Sequence, residues 1–152
     1  MKSKVYFATD HAGFELKNEL IAYVRGELSF EVHDCGAVTY DAQDDYPDTI
    51  AVAAKYISDN PKDKAIILGG SGQGEAIVAN RFSGVRAVVY YGSTPEILTL
   101  SREHNDANVL SLGARFLDVA VAKEAVKLWL EHDFSEEERH IRRIKKIEHL
   151  TR

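Results

Sequence analysis

The chain has 152 residues, of which 45% are hydrophobic and 28% are charged, and its formal net charge is −5. This composition is typical of a globular protein, and the negative charge argues against a general nucleic-acid binder. No apolar run approaches the ~20 residues of a membrane-spanning helix, so we expect no membrane partner.

The first part of the chain alternates predicted strands with predicted helices. In chain order, the expected elements are a strand over 4–9, a helix over 14–28, a strand over 30–33 and a helix from Asp48 to Asn60. A polar loop over 34–47 precedes the second helix. Since the opening residues turn polar too early for a signal peptide, we also expect a cytoplasmic protein.

A glycine-rich loop follows the third predicted strand, within residues 66–81. Its four glycines fall within six residues and are Gly69, Gly70, Gly72 and Gly74. A helical run opens directly after them at Glu75. Such a turn exposes backbone N–H groups at the positive end of a helix dipole, so it suits a negative charge. The Glu75 carboxylate is well placed to act as a base beside this anion site.

The loop fits neither of two common phosphate-binding motifs. In a Gly-x-Gly-x-x-Gly frame from Gly70, Glu75 takes the place of the last glycine, and the loop follows the third strand rather than the first. A P-loop would need Lys and then Ser or Thr after Gly74. A tight strand-to-helix turn, with Glu75 complementing the helix dipole, therefore remains an alternative explanation.

The second half of the chain continues the alternation. Its expected elements are a strand over 85–91, a helix over 93–103, a strand over 109–112, a helix over 116–132 and a last helix over 135–152. Ser93 or Thr94 is expected to cap the first of these helices, and Ser135 opens the capping box of the last. The pattern predicts an α/β fold, a single three-layer α/β/α Rossmann-like domain over residues 1–152 with a five-stranded parallel sheet.

The candidate site residues outside the glycine loop lie near strand ends. Ligands of parallel sheets bind beyond the carboxyl ends of the strands, and the turns after strands one, three and five carry unusual residues. Asp10 and His11 follow the first strand, where either could instead cap the next helix. His104 and Asn105 are expected in a turn over 104–108, which Asn and Asp favour for local reasons. A histidine there could nonetheless move protons near neutral pH.

The last helix carries a basic face and a thin apolar stripe. Arg139 and Arg143 are four residues apart, so they share a face and can grip one anion together. A solvated charged face is the alternative interpretation. The apolar residues that must dock on something, for which another subunit is a candidate, are Ile141, Ile144, Ile147 and Leu150.

Five segments of the chain, in this order and spacing, resemble those of the ribose-5-phosphate isomerase B family, with its galactose-6-phosphate and allose-6-phosphate isomerase relatives. They are Asp10–Phe14, Asp45–Pro47, Gly69–Glu75, Arg102–Asn108, and Arg139 and His140 with Arg143. Together they cover the chain almost from end to end. The resemblance implies an aldose–ketose isomerase that interconverts ribose 5-phosphate and ribulose 5-phosphate through an enediolate.

The resemblance also implies which residue is the base. Many family members carry a cysteine immediately before the glycine loop, but this chain has Gly69 there, and its only cysteine, Cys35, lies elsewhere. The chain is similar to the branch in which a glutamate at the end of the loop removes the proton, which implies Glu75. A helix start favours the ionised form of this carboxyl, whereas burial would raise its pKa, and the sequence leaves that balance open.

Further roles follow from the resemblance. The loop segment implied to stabilise the enediolate oxygen, through its N–H groups and the Ser71 hydroxyl, consists of Gly70, Ser71, Gly72, Gln73 and Gly74. His104 would protonate the ring oxygen during ring opening, with Asp10 on the sugar hydroxyls and Asn105 on the substrate. The residues implied to hold the phosphate are His11, Arg115, Arg139 and Arg143.

The family builds its site between two subunits, which implies a homodimer, with a tetramer as a further option, and gives the apolar stripe of the last helix a partner. It uses no metal and no organic cofactor, and the lone Cys35 provides neither an internal disulfide nor a metal cluster. Two alternative functions stay open. One is the same reaction on a six-carbon sugar phosphate, and the other is a non-catalytic module that binds a nucleotide or sugar phosphate.

Overall fold

A parallel five-stranded sheet forms the centre of the computed structural model, which describes residues 3–151. The strands, in chain order, are β1 (Val5–Thr9), β2 (Val32–Asp34), β3 (Lys64–Gly69), β4 (Ala87–Tyr90) and β5 (Val109–Gly113). The helices are α1 (Phe14–Gly26), α2 (Tyr46–Asp59), α3 (Gln73–Ala79), α4 (Glu96–Asn105), α5 (Val119–Glu131) and α6 (Glu138–Leu150). Within residues 3–151, none of these helices has the length and apolar character needed to cross a membrane.

Helices cover the sheet on both faces, as the sequence predicts. Side chains alternate along each strand, so Val5 and Phe7 of β1 pack in one core with α1, α4 and α5, whereas Tyr6 and Ala8 pack in a second core with α2 and α3. Trp129 of α5 is fully buried in the first core. The prediction of a three-layer α/β/α fold is therefore confirmed.

The strand order β2-β1-β3-β5-β4 explains which strands are easy to recognise in the sequence. The central strands β1, β3 and β5 are almost completely buried, and they show the continuous apolar runs typical of parallel sheets. The outer strands β2 and β4 are short and mostly half-buried. Accordingly, β2 is shifted from the predicted range 30–33, and β4 is shorter than the predicted range 85–91.

The register brings the carboxyl ends of the three central strands together. Thr9 of β1 pairs with Leu68 of β3, and Gly69 of β3 pairs with Gly113 of β5. The turns after these strands therefore lie side by side, as the sequence predicts. At the other edge, α4 ends at Asn105 just before β5 begins. The five residues of β5 separate the two edges by roughly 16 Å, at ~3.3 Å per residue.

Two helices begin earlier than predicted. The start of α2 lies two residues before Asp48, because Asp45 takes the N-cap position and Pro47, with its fixed φ, suits the first turn. The start of α3 is Gln73 rather than Glu75, so Glu75 is the third residue of the helix. The start of α1 is Phe14, as predicted, whereas α5 begins at Val119, three residues after the predicted position 116.

Two other helices begin later than predicted. The start of α4 is Glu96, because Ser93 has a left-handed φ of 72° and its hydroxyl donates to the carbonyl of the residue before it. The start of α6 is Glu138, because Glu136 has a left-handed φ of 57° that interrupts the helix, while the Ser135 hydroxyl donates to the Glu103 carbonyl at 2.7 Å. The predicted caps, Ser93 or Thr94 for α4 and Ser135 for α6, are therefore wrong, since Pro95 and Glu137 take the N-cap positions.

A buried lysine anchors the loop between β2 and α2. Lys17 of α1 is fully buried, and its ammonium donates to both carboxylate oxygens of Asp34, at 2.6 and 2.8 Å, and to the Ala37 carbonyl at 2.7 Å. A buried charge is tolerated when it is paired and hydrogen-bonded in this way. The loop is therefore fixed where it leaves β2, at the carboxyl edge of the sheet.

Candidate active site

The glycine loop turns sharply between β3 and α3. Gly72, which precedes α3, has a left-handed φ of 79°, and a Cβ there would lie 3.1 Å from the carbonyl carbon of Leu112. The Gly72 carbonyl accepts a hydrogen bond from the buried Ser111 hydroxyl at 2.6 Å, which ties the loop to β5. Ser71 and Gln73 are exposed, so the loop is fixed on one side and open to a ligand on the other.

The absence of a side chain at Gly69 makes room for Glu75. A Cβ at Gly69 would lie only 1.7 Å from Oε1 and 2.0 Å from Cδ of the Glu75 carboxyl group. The carboxyl group therefore occupies the space that any other residue at position 69 would fill. A cysteine at position 69 and a glutamate in this conformation at position 75 exclude each other.

Burial decides the protonation chemistry of Glu75. The residue is 4% exposed, and its pKa is raised chiefly because burial disfavours the charged form. Its own backbone N–H lowers the pKa, and the charge of Asp10 raises it further. Burial therefore outweighs the effect of the helix start, which the sequence alone left open. A carboxylate with a raised pKa is a stronger base, as proton abstraction requires.

Two side chains from other elements lie against loop glycines. The guanidinium of Arg115 lies so near Gly70 that a Cβ at Gly70 would be 3.0 Å from Nη1. The backbone N–H of Arg115 also donates to the Gly70 carbonyl at 3.1 Å. The ring of Tyr46 lies against Gly74, where a Cβ would lie 2.6 Å from the hydroxyl oxygen. The structure thus brings the predicted Arg115 to the loop. The sequence predicted no role for Tyr46, although it belongs to one of the five segments that resemble the family.

Asp10 and His11, which follow β1, complete the group at the carboxyl edge. The Asp10 carboxylate is buried and accepts the Ala12 N–H at 3.0 Å, so it caps a short 3-10 turn over 11–13. The capping interpretation therefore holds for Asp10, yet its charge also acts on Glu75. His11 is hydrogen-bonded through Nδ1 to Asp44 at 2.7 Å, and this bond is the main reason that the pKa of His11 is raised.

Asp10, His11 and Asp44 also offer three possible metal ligands within 4.8 Å of one another. Both carboxylates already accept hydrogen bonds from N–H groups of this chain, Asp10 from Ala12 and Asp44 from His11. This donor set suits a hydrogen-bonded cluster, and we assign it no metal ion. Burial raises the pKa of the Cys35 thiol to about 12, so the thiol stays protonated near neutral pH and offers no thiolate to bind a metal or accept a proton.

The second group of predicted residues lies at the opposite edge of the sheet. His104 and Asn105 form the end of α4, so their predicted placement in a turn is wrong. Arg139 and Arg143 lie on α6, which packs along α4. The length of β5 separates this edge from the glycine loop. Within one chain, the structure therefore does not bring these four residues to Glu75.

His140 is a buried histidine to which sequence reasoning gave no role. Its ring stacks on that of His104, with centroids 4.4 Å apart and planes at 17°, and the residue is 4% exposed. Burial lowers the pKa of His140, and the charges of His104 and Arg139 lower it further. His140 therefore supports the His104 ring as a neutral side chain. Its position in a family motif was a signal, but the stacking depends on how α6 packs on α4.

Known proteins are similar to this chain over nearly its full length. Residues 5–147 match the model of the Ribose/Galactose Isomerase family. Ribose-5-phosphate isomerase B from Mycolicibacterium paratuberculosis is 42% identical over 142 residues, covering 93% of this chain and 87% of that protein. The protein of the same name from Escherichia coli is 39% identical, covering 95% and 93%. A crystal structure of ribose-5-phosphate isomerase B from Mycoplasma genitalium with bound ribulose-5-phosphate matches with a TM-score of 0.92 at 34% identity, covering 99% of this chain and 97% of that one.

The raised pKa of Glu75 predicts a pH-dependent loss of stability. Folding raises this pKa, so the folded state loses stability as the pH rises from the unfolded pKa through the folded one. The neutral amide of Glu75→Gln removes the effect, and the variant should therefore unfold at a higher urea concentration than the wild type at pH 7. Below about pH 4 the Glu75 carboxyl group is protonated in both the folded and the unfolded protein, so the unfolding midpoints of the wild type and the variant should converge.

Urea titrations at both pH values measure this effect. Glu96→Gln is the matched control, because Glu96 also lies in the first turn of a helix but is exposed. Its unfolding midpoint should show no such change between the two pH values. Equal midpoints for the wild type and Glu75→Gln at pH 7 would contradict the raised pKa.

Proposed function

The chain belongs to the Ribose/Galactose Isomerase family, and from this premise we propose that it interconverts ribose 5-phosphate and ribulose 5-phosphate. The observation that carries the proposal is the buried carboxyl group of Glu75, which lies in the space left by Gly69 at a glycine loop that also contacts Arg115. The reaction needs a base that moves a proton between neighbouring carbons and donors that stabilise an enediolate.

Glu75 is proposed as the base. It removes the proton from C2 of the open-chain aldose, and the electron pair left behind forms the enediolate. The same carboxyl group returns the proton at C1 while the carbonyl forms at C2, and the hydroxyl proton of O2 passes to the neighbouring O1 of the enediolate. General-base catalysis of this kind contributes typically ~10²–10⁴-fold in rate. The raised pKa of Glu75 supports the role, because it makes the carboxylate a stronger proton acceptor.

The residues around the loop are proposed to bind the rest of the substrate. The N–H groups of segment 70–74, with the exposed Ser71 hydroxyl, stabilise the enediolate oxygen. Asp10 accepts hydrogen bonds from sugar hydroxyls. His11 and Arg115 hold the phosphate. The position of the Arg115 guanidinium against Gly70 supports this role, and so does the raised pKa of His11, which favours its cationic form.

The remaining site residues are proposed to come from a second copy of the chain. They are His104 for ring opening, Asn105 for substrate binding, and Arg139 and Arg143 for the phosphate. In the proposed homodimer, the amino-terminal strand ends of one sheet face the carboxyl-terminal strand ends of the other, and this contact completes two such sites. The exposed apolar residues of α6 support this contact, since Ile147 is 47% exposed and Leu150 is 80% exposed.

The central test is turnover of ribose 5-phosphate by the wild type and by Glu75→Gln. The amide keeps the shape of the side chain but cannot accept the proton, so kcat should fall by roughly 10²-fold or more. Glu96→Gln is the control and should retain wild-type turnover. Allose 6-phosphate is assayed alongside, and turnover confined to this hexose would contradict the proposed substrate. Absence of turnover of either sugar by the wild type would contradict an isomerase.

Gly69→Ala should inactivate the protein without unfolding it. The new Cβ would displace the Glu75 carboxyl group, which can move because it is the end of a flexible side chain. A base displaced by about 1 Å can cost roughly 10²-fold in kcat, whereas the thermal midpoint should change little. Gly26→Ala is the matched control, since a Cβ at Gly26 meets nothing within 4 Å. Unchanged kcat in Gly69→Ala would show that the observed carboxyl position is not needed.

Mixed subunits test whether each site is shared. A heterodimer of Glu75→Ala and Arg143→Ala chains contains one site with both changes and one site with neither. Random mixing should therefore recover roughly a quarter of wild-type activity, because about half of the dimers are mixed. A mixture of Glu75→Ala with Glu75→Gln is the control and should recover none. Inactive mixed dimers, verified by mass, would contradict a shared site.

A further inference from the structure

Asp44, in the loop between β2 and α2, contacts His11 through a single carboxylate oxygen. Its Oδ1 accepts the backbone N–H of His11 at 3.0 Å and lies 2.7 Å from the ring atom Nδ1. One oxygen therefore fixes both the main chain and the ring of His11. None of the roles proposed above uses Asp44.

We propose that Asp44 is a positioning residue for phosphate binding, which holds the His11 ring with Nδ1–H towards the carboxylate and Nε2 towards the substrate phosphate. This inference rests on the proposed function, because it takes His11 as a phosphate ligand. It deepens that function by assigning the residue that keeps His11 competent to bind an anion.

The chemistry follows from the two ring nitrogens of histidine. With Nδ1–H donated to Asp44, a neutral His11 would present the lone pair of Nε2 to the phosphate and repel it. A protonated His11 instead donates Nε2–H and adds a positive charge. Phosphate binding therefore needs His11 in its cationic form, and an adjacent carboxylate stabilises that form.

The groups that face His11 favour the cation on balance. The hydrogen bond to Asp44 is the main cause of its raised pKa, and the charges of Asp10 and Asp44 act in the same direction, whereas burial and the charge of Arg115 lower the pKa. The ring of Tyr40 also packs edge-on against His11, with centroids 6.5 Å apart. The two acidic side chains therefore outweigh the one basic side chain.

The surroundings of Asp44 suit it for this role. The start of its loop is fixed by the buried Lys17, and the Asp44 N–H donates to the Asp41 carbonyl at 3.1 Å. Its second oxygen, Oδ2, is buried and, within residues 3–151, has no hydrogen-bond partner. The carboxylate is thus poorly solvated and directs its charge at His11.

The test compares Asp44→Asn with Asp45→Asn. Asparagine keeps an oxygen that can accept from His11 but removes the charge, whereas the neighbouring Asp45 is exposed and its side chain makes no capping hydrogen bond. NMR titration of the His11 ring in the free enzyme should show a lower pKa in Asp44→Asn and no change in Asp45→Asn. Asp44→Glu, which restores the carboxylate, should recover part of the shift.

Kinetics with ribose 5-phosphate give the second readout. In Asp44→Asn the KM at pH 8 should rise roughly tenfold, a loss comparable to one charge-assisted hydrogen bond, while kcat changes less than about twofold. At low pH, where His11 is protonated in both proteins, the two KM values should converge. The rise in KM should therefore begin at a lower pH in the variant than in the wild type.

Three results would overturn the proposal. They are an unchanged His11 pKa in Asp44→Asn, an unchanged KM, and an equal loss at every pH. If the wild type turns over no sugar phosphate, the proposed function fails, and weaker binding of inorganic phosphate by Asp44→Asn at pH 8 still tests the role of Asp44. In that case equal phosphate affinity of the two proteins would overturn the inference separately.

Discussion

The register of the three central strands is the constraint on which the rest of the structure depends. Because Thr9 pairs with Leu68 and Gly69 pairs with Gly113, the strands β1, β3 and β5 end side by side, and the turns that follow them begin next to one another. A slip of one residue would exchange the buried faces of a strand and misplace its turn. The same strands keep His104 at the far edge, so the fold itself divides the predicted site residues into two groups.

Burial of Glu75 connects the stability of the fold with its chemistry. Folding removes the carboxyl from water and places it near the charge of Asp10, and both effects raise its pKa. The energy for this arrangement comes from the apolar cores on either side of the sheet, which make no contribution to the chemistry. Sites that bind or react are often less stable than their surroundings for this reason.

Sequence patterns predicted the features that depend on neighbouring residues. The apolar runs of β1, β3 and β5 and the glycine loop are local signals, and each was found where it was expected. The predicted helix start at Ser135 is wrong, because Glu136 has a left-handed φ of 57° and the Ser135 hydroxyl bonds to Glu103, more than thirty residues away. Local propensity cannot anticipate such contacts.

The candidate site follows the same rule. Glu75 and Arg115 lie at the glycine loop because the loop follows β3 and Arg115 follows β5. The strand pattern indicated the loop and Glu75, whereas the role of Arg115 came from the family resemblance. The sequence predicted no role for Asp44 or His140, because each acts through a residue distant in sequence. Asp44 contacts His11, and His140 stacks on His104.

The close fit between Gly69 and Glu75 also limits how such a protein can evolve. The resemblance indicates relatives whose base is a cysteine at position 69. Gaining that cysteine first would place a thiol and a carboxyl group in the same space, and losing Glu75 first would leave this chain without its proposed base. A lineage can exchange one base for the other only through an impaired intermediate or through two changes at once. Lineages that adopted different bases are therefore expected to stay separate.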